Sequence, residues 1–353
     1  MSSSCLLYNQ DMAKQISSSL RFKEILENTV LNNYDNKIVY DKKIKDFSQQ
    51  IEAIKPNSFF RYRTCGEWAI NTMGQNIVTF SKPSKFNDPF DSLVYVDTDL
   101  IIKNLFNPKI QHQLAQWLNI NKNLENILPK EKLNNILSVI NEPVPEYQTT
   151  MKLAKPQIEN MINYIVSDSL IFLKNYPYIA CFSETPYSPT MWAHYADSHR
   201  GFVLEYDRNV ETHSCSNCKN KCPYEHFDIM LPVVYSDERF NASNFVISYF
   251  STKLFKTSTN IFIPEDDKLA MHKVLLHKSK DWEYEKEWRL ISLCKTTPRV
   301  IQKPIGIYLG VNMPINVKKE FCNFALQNGI KVYEMYIDQT SKIYKINSRE
   351  IKN

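Results

Sequence analysis

Glycine is scarce in this chain, with 6 residues among 353 and no G-x-G pair. A phosphate loop or a dinucleotide-binding turn needs clustered glycines, so both are excluded, and any bound nucleotide has to be held by side chains. Long apolar runs are missing too. None approaches the roughly eighteen residues of a membrane span, so no membrane is expected as a partner. The opening MSSSCLLYNQDMAKQ lacks the basic-then-apolar order of a secretory signal, which leads us to expect a cytoplasmic protein. Charge of one sign is also in short supply. A net charge of +5 permits anionic ligands without announcing a nucleic-acid binder. Of the 8 cysteines, Cys5, Cys65, Cys181, Cys294 and Cys322 stand singly, which fits reduced thiols better than a disulfide framework.

Aromatics are plentiful, with 20 Tyr and 19 Phe, and hydrophobic residues make up 43% of the chain, enough for a sizeable core. Residues 1–55 read as a helical N-terminal extension and 56–353 as the main domain. That domain carries a helical insertion at about 100–176 and a cysteine-rich loop at about 211–226. Strands are expected at Phe59–Arg63, Asn76–Ser81, Tyr178–Ser183, Phe202–Tyr206, Met230–Tyr235, Glu287–Leu293, Ile305–Leu309 and Lys331–Ile337. Helices are expected at Trp68–Met73, Met191–His199 (opened by Ser188-Pro189, with Gly201 as C-cap), Asp266–Lys278, and Pro314–Gln327 closed by Gly329. Strands and helices mix without strict βαβ alternation, so the expected fold class is α+β.

Five stretches could carry chemistry. Arg61 and Arg63 lie two apart on a strand and project from one face, Phe60 and Tyr62 from the other; paired guanidiniums suit a pyrophosphate or carboxylate, the alternative being a solvated face. SKPSKFNDPFD gathers Ser81, Ser84, Asn87, Asp88 and Asp91 in one loop, where Asn and Asp also fold turns on their own backbone. PTMWAHYADSHRG places His194 and Tyr195 on a helix, His194 as a base or ligand contact or as a packing residue. In DWEYEKEWRL, a strand would align Glu283, Glu285 and Glu287, whose repulsion suits a cation or polyhydroxyl ligand; the alternative is a charged edge strand. Cys215, Cys218, Cys222 and His226, with His213 nearby, give C-x2-C-x3-C-x3-H, a spacing compatible with zinc or with incidental thiols.

The blocks FFRYR, FSKPSKFNDPFD, ACFSE, MWAHYADSHRGFVLEYD, YSDER and WEYEKEWRLI together resemble a widespread bacterial domain family of unknown function, over about residues 59–310. More distantly, their order resembles the ADP-ribosyltransferase superfamily. That resemblance implies a mixed, split β-sheet and NAD as substrate. It implies roles for Arg61 on the first core strand, Ser81 on the second, and Glu287 as the catalytic glutamate with Glu285 as the first Glu of E-x-E. SKPS departs from the superfamily's tighter S-T-S, and Asn87, Asp88 and His194 have no counterpart there.

On this reading Glu287, Glu285, Arg61 and His194 are the catalytic candidates, and Arg61, Arg63, Ser81, Asn87, Asp88 and Tyr195 contact the nucleotide. Phe80 or Tyr195 would stack on nicotinamide. The chain would transfer ADP-ribose to a macromolecular acceptor or hydrolyse NAD, in a bacterial toxin or phage-defence setting. The rivals are a non-enzymatic nucleic-acid or protein-binding module with a zinc loop, and a metal-dependent hydrolase using Asp88, Asp91, His194 and Glu287.

Overall fold

A computed structural model of the chain describes residues 18–32, 35–105, 131, 134–135, 138, 142–153, 155–210, 230–247, 249, 267–293, 297–298 and 300–352. An eight-stranded sheet organises it, in the order β12-β11-β10-β4-β1-β3-β8-β5. Its strands are β1 (Ser58–Arg63), β3 (Tyr178–Ser183), β4 (Phe202–Asp207), β5 (Met230–Pro232), β8 (Glu287–Ser292), β10 (Gly306–Leu309), β11 (Lys331–Ile337) and β12 (Ile346–Glu350). Every neighbouring pair is antiparallel except β10 with β11. The fold is therefore α+β with a mixed, mostly antiparallel sheet.

Two small ladders flank it: β2 (Ile77–Val78) with β9 (Val300–Ile301), and β6 (Val234–Ser236) with β7 (His277–Ser279). The run expected as one strand over Asn76–Ser81 is thus only two residues of ladder, followed by a single bridge from Ser81 to Ile179. Met230–Tyr235 likewise divides at Val233 between two sheets.

The helices are α1 (Ser18–Asn28), α2 (Lys37–Ile54), α3 (Glu67–Gly74), α4 (Thr98–Leu105), α5 (Val144–Leu153), α6 (Lys155–Asn175), α7 (Pro189–Tyr195), α8 (Ala270–Leu275) and α9 (Ile315–Asn328). Their ends follow capping chemistry. Asn36 accepts from Val39 N at the start of α2, Ser188 accepts from Met191 N at the start of α7, and Gly329 closes α9 at φ 61°. The N-terminal helices are not a separate appendage: Phe22, Leu26, Phe47 and Ile51 are buried in the same apolar cluster as Phe59 and Trp288. Phe59 meets Phe182 and Trp288 edge-on, at 6.0 and 5.4 Å between centroids, the geometry that ring quadrupoles favour.

Two helix expectations are corrected. The helix from Asp266 to Lys278 shrinks to Ala270–Leu275, because His277–Ser279 leaves to pair with β6. The helix from Met191 stops at Tyr195, and Asp197, Ser198 and His199 follow in the left-handed region at φ 47°, 52° and 67°. Gly201 is not its C-cap. A Cβ there would stand 2.1 Å from the carbonyl oxygen of Arg63, so this glycine is required by close approach of backbone to backbone.

The sheet is weakest between β1 and β3. The two share one register pair, Phe60 with Ser183, whereas β1 pairs β4 along all six residues from Ser58 to Arg63. Past that single pair the edge of β3 is taken by Ser81, whose N–H and C=O exchange hydrogen bonds with Ile179 at 2.9 and 2.8 Å. A cavity lies at this seam.

Candidate functional site

The cavity, of about 180 Å³, is lined among others by Arg61, Phe86, Asn87, Asp91, Cys181, Tyr195, Lys278, Glu285 and Glu287. By strand alternation Arg61 belongs to the face of Phe182 and Trp288, and Glu287 to the face of Phe60 and Ser183. Both residues line the cavity at the seam.

One wall is a buried charge cluster. Arg289 on β8 is 0% exposed and uses all five guanidinium N–H groups. Nε donates to Glu287 Oε1 at 2.9 Å, Nη1 to Asp91 Oδ1 at 2.9 Å and to Leu275 O at 2.6 Å, and Nη2 to Asp91 Oδ2 and to Glu287 Oε2 at 3.1 Å. Lys278 on β7 donates to Glu285 Oε2 at 2.5 Å and to Glu287 Oε2 at 3.2 Å, with Asp91 Oδ2 at 3.8 Å. Asp91, Glu285 and Glu287 thus face Arg289 and Lys278, with the ammonium of Lys174 donating to the Asp91 carbonyl.

The two glutamates are held differently. Burial pushes Glu287 up, but Arg289 and Lys278 outweigh it and hold its carboxyl well below the ordinary carboxylate range. Glu285 goes the other way: burial first, then the charge of Glu287, raises it to about 7 despite Lys278. Its Oε1 accepts from the Tyr195 hydroxyl at 2.7 Å, and Asn87 Nδ2 donates to that hydroxyl at 3.2 Å. Glu285 is thus the cavity carboxylate whose charge changes near neutral pH, and Glu287 is locked as a permanent anion.

This arrangement corrects the expected row of three glutamates. Residues Lys280–Glu285 form a 3-10 turn, Lys286 takes a left-handed conformation at φ 44°, and the strand begins only at Glu287. Glu283 is exposed and outside the cavity lining. Nor is β8 a charged edge strand. It lies between β3 and β5 and is buried along its whole length.

Arg61, 9% exposed, also belongs to the cavity lining. Its Nη2 donates to Thr79 O at 2.9 Å, its guanidinium lies 5.1 Å from the Phe182 centroid, and its Nη1 is buried without a partner. Arg63 donates from Nη2 to Thr79 Oγ1 at 2.6 Å and lies over Trp68, with Nε buried and unpartnered. Burial, and then the neighbouring charge of Arg61, lowers Arg63 to about 9. Among the described residues neither arginine forms an ion pair, and guanidinium N–H groups left buried without a partner are suited to an anion.

The expected residues therefore divide. Glu285, Glu287, Arg61, Asn87 and Tyr195 meet at the cavity, and Arg63 adjoins Arg61 through Thr79. Ser81 is exposed and serves the seam through its backbone. Asp88 turns inward, and its Oδ1 accepts from Phe90 N at 2.8 Å. His194 is exposed and packs near Trp282 and Tyr284, at 6.4 Å from each ring. With Asp91 and Glu287 engaged by Arg289, and Asp88 and His194 off the cavity lining, the four residues of the metal-hydrolase alternative do not form one site. Among the described residues no group of three or more His, Cys, Asp or Glu side chains could hold a metal ion. Cys215, Cys218, Cys222, His213 and His226 lie outside the described residues.

Lys278 is the functional residue that the sequence did not point to; the apolar Val274-Leu275-Leu276 just before it was its one sign of burial. No helix among the described residues is long and apolar enough to cross a membrane. No curated protein and no solved structure matches the chain. Residues 191–290, which include β4, Lys278, Glu285, Glu287, Arg289 and all but the first two residues of α7, match the model of a family described as "Protein of unknown function (DUF2971)".

Proposed function

We propose that the seam cavity binds the reacting end of an NAD-type nucleotide and that the chain cleaves its N-glycosidic bond, passing ADP-ribose to water or to an acceptor. The observation carrying this reading is a cavity lined both by a buried arginine whose Nη1 has no partner and by a cluster of carboxylates and cations that includes Glu285. The ligand it suits is anionic at one end and cationic or hydroxyl-rich at the other. Nicotinamide mononucleotide units have that polarity, with a phosphate, a ribose and a cationic ring in sequence. The volume of about 180 Å³ fits a part of a dinucleotide, and the scarcity of glycine agrees with recognition by side chains.

In the proposed reaction the bond between ribose C1′ and the ring nitrogen breaks, and its electron pair leaves with neutral nicotinamide. The oxocarbenium-like ribose is stabilised by the carboxylates of Glu285 and Glu287. A water or acceptor oxygen then bonds to C1′ and loses its proton, for which Glu285, raised to about 7, is the matched base. The structure thus favours Glu285 over Glu287 as the ligand-facing group of this reading. The mixed sheet parted between β1 and β3 is compatible with the ADP-ribosyltransferase likeness.

The test is release of free nicotinamide from NAD by the purified chain. Turnover is expected, and Glu285→Gln should lower it by about a hundredfold or more. Absence of turnover and of any modified acceptor would remove the reading. Salt-dependent binding to nucleic acid in its place would favour a binding module.

A further inference from the structure

We propose that Lys278 is the positioning residue of this cavity: its ammonium holds one oxygen of Glu285 and so turns the other, together with the Tyr195 hydroxyl, toward the ligand. The proposal rests on the reading of Glu285 as the ligand-facing carboxylate.

Arg289 has no donor to spare, since each of its N–H groups is engaged. Among the described residues Lys278 is the one cation within hydrogen-bond reach of Glu285. It reaches Glu285 through Oε2 alone, at 2.5 Å, while Oε1 stays with Tyr195 at 2.7 Å. Glu287 Oε2 takes a second ammonium N–H at 3.2 Å, and the Trp282 ring stands 4.9 Å from Nζ, on the turn that ends at Glu285. The ammonium is therefore fixed from two elements, and Glu285 inherits its orientation. The charged and titratable groups around the pair are Asp91 from the loop before α4, Tyr195 from α7, Tyr235 from β6, Tyr284 from the 3-10 turn, and Glu287 and Arg289 from β8. Only Lys278 and Arg289 among them carry positive charge.

The experiment follows the carboxyl carbon of Glu285 by ¹³C NMR across pH in the full chain, with Glu285→Gln identifying its resonance. In the wild type a midpoint of about 7 is expected. Lys278→Met should move it up by about one unit or more, the usual effect of losing a close opposite charge, and Lys278→Arg should leave it near the wild-type value. A residue that merely fills space would leave the midpoint where it was, and that outcome overturns the proposal. Should Lys278→Met fail to fold, the wild type still decides: the ¹⁵Nζ resonance of Lys278 must shift with the Glu285 midpoint, and an ammonium signal indifferent to it overturns the proposal equally. These readouts need no substrate. Coupled titration in a chain that never releases nicotinamide would leave Lys278 in its role and remove the NAD reading, whereas turnover with uncoupled titration would do the reverse.

Discussion

Replacing Glu285 by glutamine removes a charge that the folded chain accommodates poorly. Its folded pKa of about 7 lies above the ordinary 4.5, so the native state binds this proton more tightly than the unfolded one. Between those values, rising pH ionises the unfolded carboxyl first and lowers stability, and above about 7 the full cost is present. Glu285→Gln should therefore be more stable than wild type at pH 8, by roughly 1–3 kcal/mol, with the gap closing as pH falls toward 4.5. Urea unfolding at several pH values checks this, and parallel curves would show an ordinary carboxyl. Arg61 gives a second prediction. Arg61→Lys keeps the charge but loses the fork, so ADP-ribose should bind about tenfold more weakly or worse by calorimetry. An unchanged affinity would make Arg61 a packing residue.

At the scale of elements, the backbone approach of β4 to the end of β1 leaves no room at Gly201. Gly201→Ala would set a methyl 2.1 Å from Arg63 O and 2.9 Å from Ala196 Cα, so one segment must move. A loss of about 1–3 kcal/mol is expected in thermal or urea unfolding, and a variant of wild-type stability would show that the segments are free to part. The same stretch shows what the sequence could and could not tell. Short runs rich in apolar, β-branched and aromatic residues located β1, β3, β4, β8, β10 and β11 to within a residue or so, because strand composition is a local property. The left-handed residues Asp197–His199 and Lys286 were not legible, since none is glycine and their backbone is imposed by distant contacts. Lys286 bends the chain between Glu285 and Glu287, so the sequence offered the right two carboxylates in the wrong arrangement. Lys278 escaped for a similar reason: its partners make it a site residue, and a helical-looking run concealed the short strand that carries it.

For the whole molecule the decisive contact joins Arg289 to Asp91, 198 residues apart in sequence. No local pattern announces such a pair, yet it ties the loop before α4, the end of α8 and the centre of the sheet to one side chain. Arg289→Met would leave Asp91 and Glu287 buried with fewer partners, and a loss of about 3–5 kcal/mol is expected from chemical unfolding. A loss under about 1 kcal/mol would mean that water or Lys278 takes over the carboxylates. Cysteine spacing supplies one more whole-chain prediction. If Cys215, Cys218, Cys222 and His226 act together, reduced protein should carry about one zinc per chain by elemental analysis, and a metal-free result would return them to incidental thiols.

The seam between β1 and β3 has a mechanical side. Arg61 belongs to the larger run of strands, β12 through β1, and the acidic cluster joins β8 to β7, the 3-10 turn and the loop before α4. One backbone pair and the strap at Thr79–Ser81 join the two parts locally. The span across this seam is therefore the least tied by backbone pairing in the sheet. On the proposed reading, a ligand spanning the seam would work as a gauge block between two jaws: one of the right length would draw them into register, and a shorter or longer one would leave Glu285 out of line with the water or acceptor it would deprotonate.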